Sequence, residues 1–311
     1  MKFIDASPDI PDELIREVNE GDVVFLCGAG VSRAANLPLF QELTDQVYER
    51  LGESFANEPA ERIAYDRKEF DRVLRSLEKR TLLPRTASRV REAVAEILAI
   101  RAAVDLSRHA SLLTLSRDRV GRPRLLTTNF DTLFERSAQR AQIDCSSHAM
   151  KSLPRPGTPD DHGILHLHGR LEDDEVGVAP SDLVLTSADF GDAYLRDGWA
   201  SRYIEDRMRV NTLVLVGYQA EDAALRLLLE TLDADRERFR DLNNIYAMER
   251  QSEDSASQWK AKGIIPIEFK DFDSIYNTLA EWARYAKNPA EYRRERLQAI
   301  LQKPIRRRPD E

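Results

Sequence analysis

Residues 22–32 read DVVFLCGAGVS, an apolar run of strand length that breaks into a glycine turn. A run without alternating polar residues suits a central parallel strand that helices cover on both faces. From Leu39 to Leu51 the apolar residues recur at helical spacing, so a helix is expected after the turn. A strand, a glycine turn and a helix in this order predict the first unit of an open α/β sheet.

The rest of the chain continues this alternation. Residues 57–118 show helical periods and no convincing strand, which predicts a helical module inserted between the first two strands. Further strands are expected at 123–128, 164–169, 182–186, 212–217, 244–248 and 264–269. Further helices are expected at 8–20, through Arg140, and at 187–209, 221–233, 254–261 and 272–286. Parallel strands need helical crossovers, so the pattern predicts an α/β fold with a doubly wound, Rossmann-like parallel sheet.

Composition narrows the class of protein. The formal net charge is −8 and the pI is about 5.4, which argues against nucleic acid as the main ligand because such a surface repels a phosphate backbone. No apolar stretch has the length of a membrane helix, and the first residues lack the pattern of a signal peptide. We therefore expect a cytoplasmic protein without membrane contact. With only Cys27 and Cys145, the chain has neither a disulfide framework nor a four-cysteine zinc site.

The glycine turn is the first candidate site. Gly28 and Gly30 let the backbone approach a ligand closely, and Ala29 and Ser32 belong to the same turn. The helix that follows is expected to offer free N–H groups and the positive end of its dipole to a diphosphate. The third glycine of the common dinucleotide fingerprint is missing, so a plain strand-to-helix turn is the alternative.

The second motif is TTNFD at 127–131, directly after a predicted strand. Ligands of open α/β sheets bind at the carboxyl ends of strands, which makes Thr128, Asn129 and Asp131 candidates for a binding site. The alternative is structural, with Asn129 or Asp131 capping the next helix.

The third motif is LHLHG at 165–169. On a strand, His166 and His168 would project to the same face. No nearby cysteine or carboxylate completes a metal site, so no metal is expected. His168 precedes a glycine at the end of the strand, where an imidazole could act as a general base near neutral pH. A hydrogen-bonded core histidine is the alternative.

The fourth motif is VLVGYQAED at 214–222, again an apolar strand, a glycine and a helix start. Gly217, followed by Tyr218, could admit a second phosphate or a ribose. Asp222 is a candidate as well, although an acid in the first turn of a helix is explained by the helix dipole alone.

The order and spacing of these motifs resemble those of the sirtuin family. GAGVS at 28–32 and LPLF at 37–40 resemble the sirtuin glycine motif and its cofactor loop, which adds Phe40 to the candidates. TTNFD resembles the asparagine–aspartate motif, and VGYQ at 216–219 resembles the later glycine–serine motif. His168 and Gly169 resemble the catalytic histidine motif.

The chain departs from the sirtuin deacylases in several positions. No cysteine lies between His168 and Gly217, where deacylases carry a zinc module that helps to build the peptide groove. Leu39 and Gln41 stand where the deacylase cofactor loop has an acid and an arginine, and Gln219 stands where serine is common. Together with the helical insertion, these departures are similar to the zinc-less sirtuin-like NAD hydrolases of bacterial anti-phage defence.

The resemblance implies an NAD glycohydrolase that cleaves the nicotinamide–ribose bond, with NAD as substrate and no metal. Asn129 would orient the ribose or the attacking water, and His168 would be the general base. The remaining NAD-binding residues would be Gly28, Ala29, Gly30, Ser32, Phe40, Thr128, Asp131, Gly217, Tyr218 and Asp222. The resemblance further implies NAD depletion in abortive infection, with activation by a homo-oligomer or a partner defence protein.

Two alternatives stay open. A sensor of NAD or ADP-ribose would keep the phosphate loops without needing His168. A deacylase or ADP-ribosyltransferase would need an acceptor groove, which the missing zinc module argues against. In each case we expect one catalytic domain over residues 1–288, with 57–118 as its inserted module, and a C-terminal helix and tail over 289–311.

Overall fold

The computed structural model describes residues 1–5, 7–55, 58–82, 87–100, 103–171, 182–218, 242–252 and 254–302. Within these residues one parallel sheet has the order β3-β4-β2-β1-β5-β6-β7. Its strands are β1 (Val23–Cys27), β2 (Arg124–Thr127), β3 (Ser147–Ala149), β4 (Gly163–His166), β5 (Thr212–Val216), β6 (Ile245–Arg250) and β7 (Ile265–Phe269). The predicted α/β fold with a doubly wound parallel sheet is confirmed.

Helices cover both faces of this sheet. They are α1 (Asp12–Glu20), α2 (Phe40–Leu51), α3 (Pro59–Asp66), α4 (Phe70–Thr81), α5 (Arg89–Leu98), α6 (Ser107–Leu115), α7 (Leu133–Arg140), α8 (Ser187–Phe190), α9 (Trp199–Val210), α10 (Ser255–Lys260), α11 (Phe272–Lys287) and α12 (Pro289–Gln302). A 3₁₀ helix spans Ala29–Ala35, another spans Met150–Ser152, and a π-helical segment, Gly191–Arg196, continues α8.

The central strand β1 is buried along its whole length. Phe25 belongs to the core that the sheet shares with α1, α6, α7 and α11, whereas Leu26 belongs to the core shared with α9 and α10. Alternate side chains of one strand thus fill two apolar layers, which explains why the sequence of β1 has no polar position.

The order of the strands reverses at β1. The chain passes from β1 to β2 on one side of it and later from β4 to β5 on its other side. The register aligns the strand ends, because Cys27 pairs with both Thr127 and Val216. A crevice therefore forms at the carboxyl ends of β4, β2, β1 and β5, where ligands of doubly wound sheets bind.

A third core lies in the helical module. It joins α2, α4 and α5 through residues such as Val47, Leu77 and Val94, and it also includes Leu183 and Leu185. Helix α6 lies within 57–118 but packs on the sheet, where Leu112 is fully buried. The interior of the module is thus built largely from α2, α4 and α5.

Some expected elements differ in the structure. Residues 182–186 form no strand, because Leu183 and Leu185 pack into the module while Val184 packs against the sheet. The edge strand β3 was not predicted. The helix expected at 187–209 is interrupted at Gly198, which has a φ of 61°. The helix expected at 221–233 lies outside the described residues.

At the C-terminal end of the described chain, α12 begins at Pro289, as expected. Its Tyr292 packs edge-on against Phe3 and Tyr285 in the core of the sheet. The division into residues 1–288 and 289–311 stays a prediction. None of the helices in the described ranges is both long and apolar enough to cross a membrane.

Candidate functional site

A pocket opens at the carboxyl ends of the central strands. It holds about 700 Å³ of empty space, its open mouth included. Many of the residues predicted from the sequence line it: Ala29, Ser32, Phe40, Thr128, Asn129, Asp131, His168 and Tyr218. The structure therefore brings the four motifs together around one cavity.

The predicted glycines lie in the turns beside this pocket, where they let the turns pack closely. Gly217 has a φ of +79°, and a Cβ atom there would lie 2.8 Å from the backbone nitrogen of Val31. A Cβ atom on Gly30 would lie 2.9 Å from Gly217, and one on Gly28 would lie 2.6 Å from the Tyr218 ring. Packing between the turns after β1 and β5 thus requires these glycines even without a ligand.

The glycine turn has fewer free amide groups than the sequence suggested. The amide of Gly28 donates to Val216 O at 2.9 Å, that of Gly30 to Gly217 O at 3.0 Å, and that of Val31 to Gly28 O at 3.1 Å. The helix after the turn is the 3₁₀ helix Ala29–Ala35 rather than a long α-helix. Because the amides of the turn already pair with backbone carbonyls, fewer N–H groups are free for a diphosphate than expected. The helix dipole at this position is also weaker than expected.

Asn129 is held from both sides. Its Nδ2 donates to Gly28 O at 3.2 Å and to Ser32 Oγ at 3.1 Å. A carbonyl oxygen only accepts hydrogen bonds, so Gly28 O fixes which end of the amide is the nitrogen. Both protons of Nδ2 are then used, and the carbonyl oxygen Oδ1 is the part of Asn129 left for a ligand in the pocket.

Asp131 lies behind Asn129 at the start of α7. Its Oδ2 accepts from Ser32 Oγ at 2.9 Å, and its Oδ1 accepts from the amide of Leu133 at 3.1 Å. Burial raises the pKa of the Asp131 carboxyl. Asp131 thus accepts a backbone hydrogen bond at the start of α7, as the helix-capping alternative expects. It also holds the Ser32 hydroxyl that Asn129 contacts.

His109 of α6, which is not among the residues predicted from the sequence, completes this buried network. Its Nε2 lies 3.5 Å from Ser32 Oγ, and its ring packs edge-on against Phe134 at 4.8 Å. Burial lowers the pKa of His109 to about 4, so the ring is neutral at pH 7. A histidine in a helical stretch gives no sequence signal of this long-range contact.

Thr128 and Tyr218 join three strand ends. Thr128 Oγ1 lies 2.7 Å from the Tyr218 hydroxyl, and that hydroxyl donates to Cys27 O at 3.1 Å. The same carbonyl accepts from the amide of Thr128 at 3.1 Å. Tyr218 therefore links the ends of β5, β2 and β1 at the wall of the pocket.

His166 and His168 do not share a face, contrary to the expectation for a strand. His166 binds Asn129 O through Nδ1 at 3.0 Å and Glu135 of α7 through Nε2 at 2.7 Å. His168 contacts Phe190 and Tyr194 on the opposite side of the sheet. The reason is that β4 ends at His166, so the alternation of side chains stops there. His166 fits the alternative of a hydrogen-bonded core histidine.

His168 lines the pocket but is only 4% exposed. Its Nε2 lies 2.6 Å from the hydroxyl of Tyr194. Burial lowers the pKa of His168 to about 3, so the imidazole is neutral at physiological pH. A neutral ring has one donor and one acceptor nitrogen, and the contact with Tyr194 leaves Nδ1 for a ligand.

The apolar wall of the pocket comes from the cofactor-loop region and α8. Leu37, Pro38 and Phe40 line it, and Phe40 packs edge-on against Phe70 of α4. Phe190 lines it as well, a residue that the sequence did not indicate. An aromatic residue at helical spacing does not reveal which face meets a ligand.

The remaining predicted residue, Asp222, lies outside the described residues. Among the residues that are described, no three His, Cys, Asp or Glu side chains are grouped so that they could hold a metal ion.

A family model described as the SIR2-like domain matches residues 123–267. The match includes the ends of β2, β4 and β5 that form the pocket. This stretch of the chain is similar to the SIR2-like domain. The resemblance to the sirtuin family is thereby confirmed, and because SIR2-like domains bind NAD, the match indicates NAD-related chemistry.

A curated protein of Sinorhizobium fredii (strain NBRC 101917 / NGR234), "Uncharacterized protein y4cA", is 43% identical to this chain over 317 residues. The alignment covers 98% of this chain and 26% of that protein. The chain thus spans about a quarter of the length of this relative.

Proposed function

We propose that the protein is an NAD glycohydrolase. Water attacks the anomeric carbon of the nicotinamide ribose, the bond from that carbon to the nicotinamide nitrogen breaks, and nicotinamide, ADP-ribose and one proton are released. One observation carries the proposal: Asn129 and His168, which follow different strands within the stretch that matches the SIR2-like domain, line one pocket beside the glycine turn.

Asn129 is the group best prepared to orient the reacting atoms. Ser32 and the Gly28 carbonyl hold its amide nitrogen, so Oδ1 meets a ribose hydroxyl or the attacking water without reorganising. Asp131 acts through Ser32. It accepts the hydroxyl proton of Ser32, so that this proton points away from Asn129 and the Ser32 oxygen can accept from the Asn129 amide. In this scheme Asp131 positions Asn129 rather than binding nicotinamide.

The rest of the substrate is divided between the turns and the apolar wall. Gly28, Ala29, Gly30, Ser32 and Gly217 lie where the diphosphate would approach the backbone. Phe40 would pack against the nicotinamide or its ribose, and Thr128 and Tyr218, which also line the pocket, would offer hydroxyl groups. His168 would contact the ribose or the water. All of these contacts with the substrate are proposed, and so is the role of Asp222 in binding NAD.

The proposed cellular role is NAD depletion in bacterial anti-phage defence, in which a homo-oligomer or a partner protein activates the enzyme. The resemblance of the motifs to zinc-less sirtuin-like effectors supports this role. It predicts that cells expressing the activated protein lose NAD, whereas cells expressing an Asn129→Ala variant keep it.

A sensor that binds NAD or ADP-ribose without turnover is the second candidate. The observation in its favour is the burial of His168, since a base with a pKa of about 3 is poorly matched to proton transfer at pH 7. The fixed orientation of Asn129, which leaves its carbonyl oxygen for a ligand, favours an enzyme over a sensor, because a sensor does not require an oriented ribose.

The test is a time course of the purified chain with NAD, in which nicotinamide and ADP-ribose are separated by chromatography. Asn129→Ala and His168→Ala are the test variants. His148→Ala is the matched control, since His148 lies on the edge strand β3 outside the pocket. Thermal unfolding of every variant separates a lost reaction from a lost fold. A range of protein concentrations tests activation by assembly, and an added acylated peptide tests the deacylase alternative.

Equal amounts of nicotinamide and ADP-ribose from the wild type and His148→Ala, with at least a hundredfold loss in both test variants, would support the proposal. That loss is of the order typical for a positioned catalytic group, ~10²–10⁴. NAD binding by calorimetry without products at any concentration would favour the sensor. Nicotinamide release only with the peptide would favour the deacylase.

A further inference from the structure

His168 contacts a tyrosine, Tyr194, that is not among the residues predicted from the sequence. The hydroxyl of Tyr194 lies 2.6 Å from His168 Nε2, a short contact for this pair of atoms. The two rings are nearly perpendicular, with centroids 5.8 Å apart, and Phe190 packs against both of them. Tyr194 lies in the π-helical segment after α8, and its carbonyl accepts from Ser201 Oγ at 2.8 Å.

The direction of this hydrogen bond follows from what else surrounds the phenol. Tyr194 is 4% exposed and is not among the pocket-lining residues, so it lies behind His168 rather than beside a ligand. In the described part of the chain, its hydroxyl has no hydrogen-bond partner other than His168 Nε2. If Nε2 were the donor, the proton of the buried phenol would have no acceptor, which is unfavourable.

We propose that Tyr194 donates its hydroxyl proton to His168 Nε2 and thereby fixes the ring as the tautomer that carries its proton on Nδ1. His168 then presents an N–H donor to the pocket instead of a basic lone pair. Tyr194 is a positioning residue, since it acts only through His168. Burial raises the pKa of Tyr194, which keeps the phenol protonated and able to donate.

The tautomer defines which ligand group the pocket accepts. Asn129 contributes the acceptor Oδ1, and His168 contributes the donor Nδ1–H. A hydroxyl group satisfies both, because it donates one proton and accepts another hydrogen bond. This step rests on the proposed function, in which a hydroxyl of the nicotinamide ribose is the group held between Asn129 and His168.

The tautomer itself is measured without substrate or turnover. The experiment uses the full chain labelled with ¹⁵N at its five histidines and records long-range ¹H–¹⁵N spectra from pH 5 to pH 8. His168→Ala identifies the His168 signals by their loss. We expect a protonated Nδ1 and an unprotonated Nε2 for His168 over the whole range, because burial holds its pKa at about 3. A proton on Nε2, or a ring that becomes charged above pH 5, would overturn the proposal.

Tyr194→Phe tests the donor. The variant keeps the ring that packs on Phe190 and removes only the hydroxyl, so the fold is expected to remain. The His168 ¹⁵N shifts should then change as Nε2 loses its donor, and kcat should fall about tenfold with little change in KM. Tyr246→Phe, at a buried tyrosine of β6, is the control and should move neither readout. Unchanged His168 shifts in Tyr194→Phe would contradict the assignment.

Two isosteric variants separate a donor from a base. Asparagine at position 168 places an N–H group where Nδ1 stands, whereas glutamine places its amide where Nε2 stands. Neither amide accepts a proton as a base. A donor role predicts that His168→Asn keeps at least tenfold more activity than His168→Gln or His168→Ala. Equal loss in all three would contradict it. If the wild type shows no turnover, the spectra still decide the tautomer, so this inference and the proposed function fail separately.

Discussion

Ser32 donates a hydrogen bond to Asp131 across 2.9 Å and so joins the glycine turn after β1 to the helix start after β2. The same hydroxyl oxygen accepts from Asn129. One buried side chain thus sets the position of the amide proposed to orient the substrate. The motifs GAGVS and TTNFD form one structural unit through this contact.

Removing that hydroxyl should cost both stability and turnover. Ser32→Ala leaves Asp131 Oδ2 and one proton of Asn129 without their partner, so we expect a loss of about 2 kcal/mol in the free energy of unfolding. Turnover should fall more than binding, because Asn129 loses its orientation. Urea unfolding and NAD kinetics measure the two effects. Ser111→Ala, on the exposed side of α6, is the control, and equal stability of the two variants would be evidence against the network.

The buried histidines predict a loss of stability at acid pH. An unfolded histidine takes up a proton near pH 6.5, whereas burial lowers the pKa of His109 to about 4 in the folded chain. The stabilisation is therefore complete above pH 6.5 and is lost as the pH falls towards 4. Between pH 7.5 and 5, His109 alone should account for about 2 kcal/mol.

The variant His109→Leu isolates that contribution. It removes a ring whose Nδ1 has no partner in the described structure, so the fold should tolerate it. The difference in unfolding free energy between pH 7.5 and 5 should shrink by about 2 kcal/mol. A pH dependence identical to that of the wild type would mean that His109 is not buried as described.

The loss of stability caused by Gly28→Ala should be partly compensated when Tyr218 is also replaced. Gly28 has a φ of −108°, so alanine meets no backbone strain there, and the atoms nearest to its Cβ all belong to the Tyr218 ring. Gly28→Ala should destabilise the protein by about 1–3 kcal/mol, and Tyr218→Ala in the same chain should recover part of that loss. A double-mutant cycle from urea unfolding measures the coupling, which additive effects would disprove.

Gly217 provides the contrast. Its positive φ and the close backbone nitrogen of Val31 penalise alanine independently of Tyr218. Gly217→Ala should therefore stay destabilised when Tyr218 is also replaced. Recovery in that double variant would show that the two turns do not pack as described.

Arg91 connects the helical module to the helix that carries Phe190. It binds Glu78 Oε1 at 2.8 Å, Asp189 Oδ2 at 2.6 Å and Leu183 O at 2.9 Å. Arg91→Met takes this cation from Asp189 and leaves Glu78 with Arg75, so we expect a loss of about 3 kcal/mol in the free energy of unfolding and a lower kcat. Arg62→Met, in an exposed ion pair with Asp66, should change stability by less than about 1 kcal/mol. Equal losses of stability in Arg91→Met and Arg62→Met would show that the contacts of Arg91 do not stabilise the fold.

The parallel sheet was predictable because β1 is apolar throughout and the neighbouring strands have apolar centres. The run 182–186 also has an apolar centre, Leu183–Leu185, yet it packs between the module and the sheet without forming a strand, and a short apolar run does not distinguish these environments. The edge strand β3 (Ser147–Ala149) has no β-branched or aromatic residue, so its pairing with β4 follows from tertiary contacts alone.

The site was predictable to the extent that its residues follow strand ends. Asn129 and His168 meet in the pocket because β2 and β4 are neighbours whose carboxyl ends share one edge. His109 and Tyr194 were not predictable, because each lies in a helix and acts through a contact distant in sequence. The burial that lowers the pKa of His168 also depends on packing by Phe190 and Tyr194, which no local pattern reveals.

The most direct test of the central claim is the molar ratio of nicotinamide to ADP-ribose formed from NAD by the wild type and by a folded Asn129→Ala variant. The account predicts a ratio of one for the wild type, without added peptide, and no product above background for the variant. Products at the same rate from both proteins, or bound NAD that stays intact in the wild type, would contradict it.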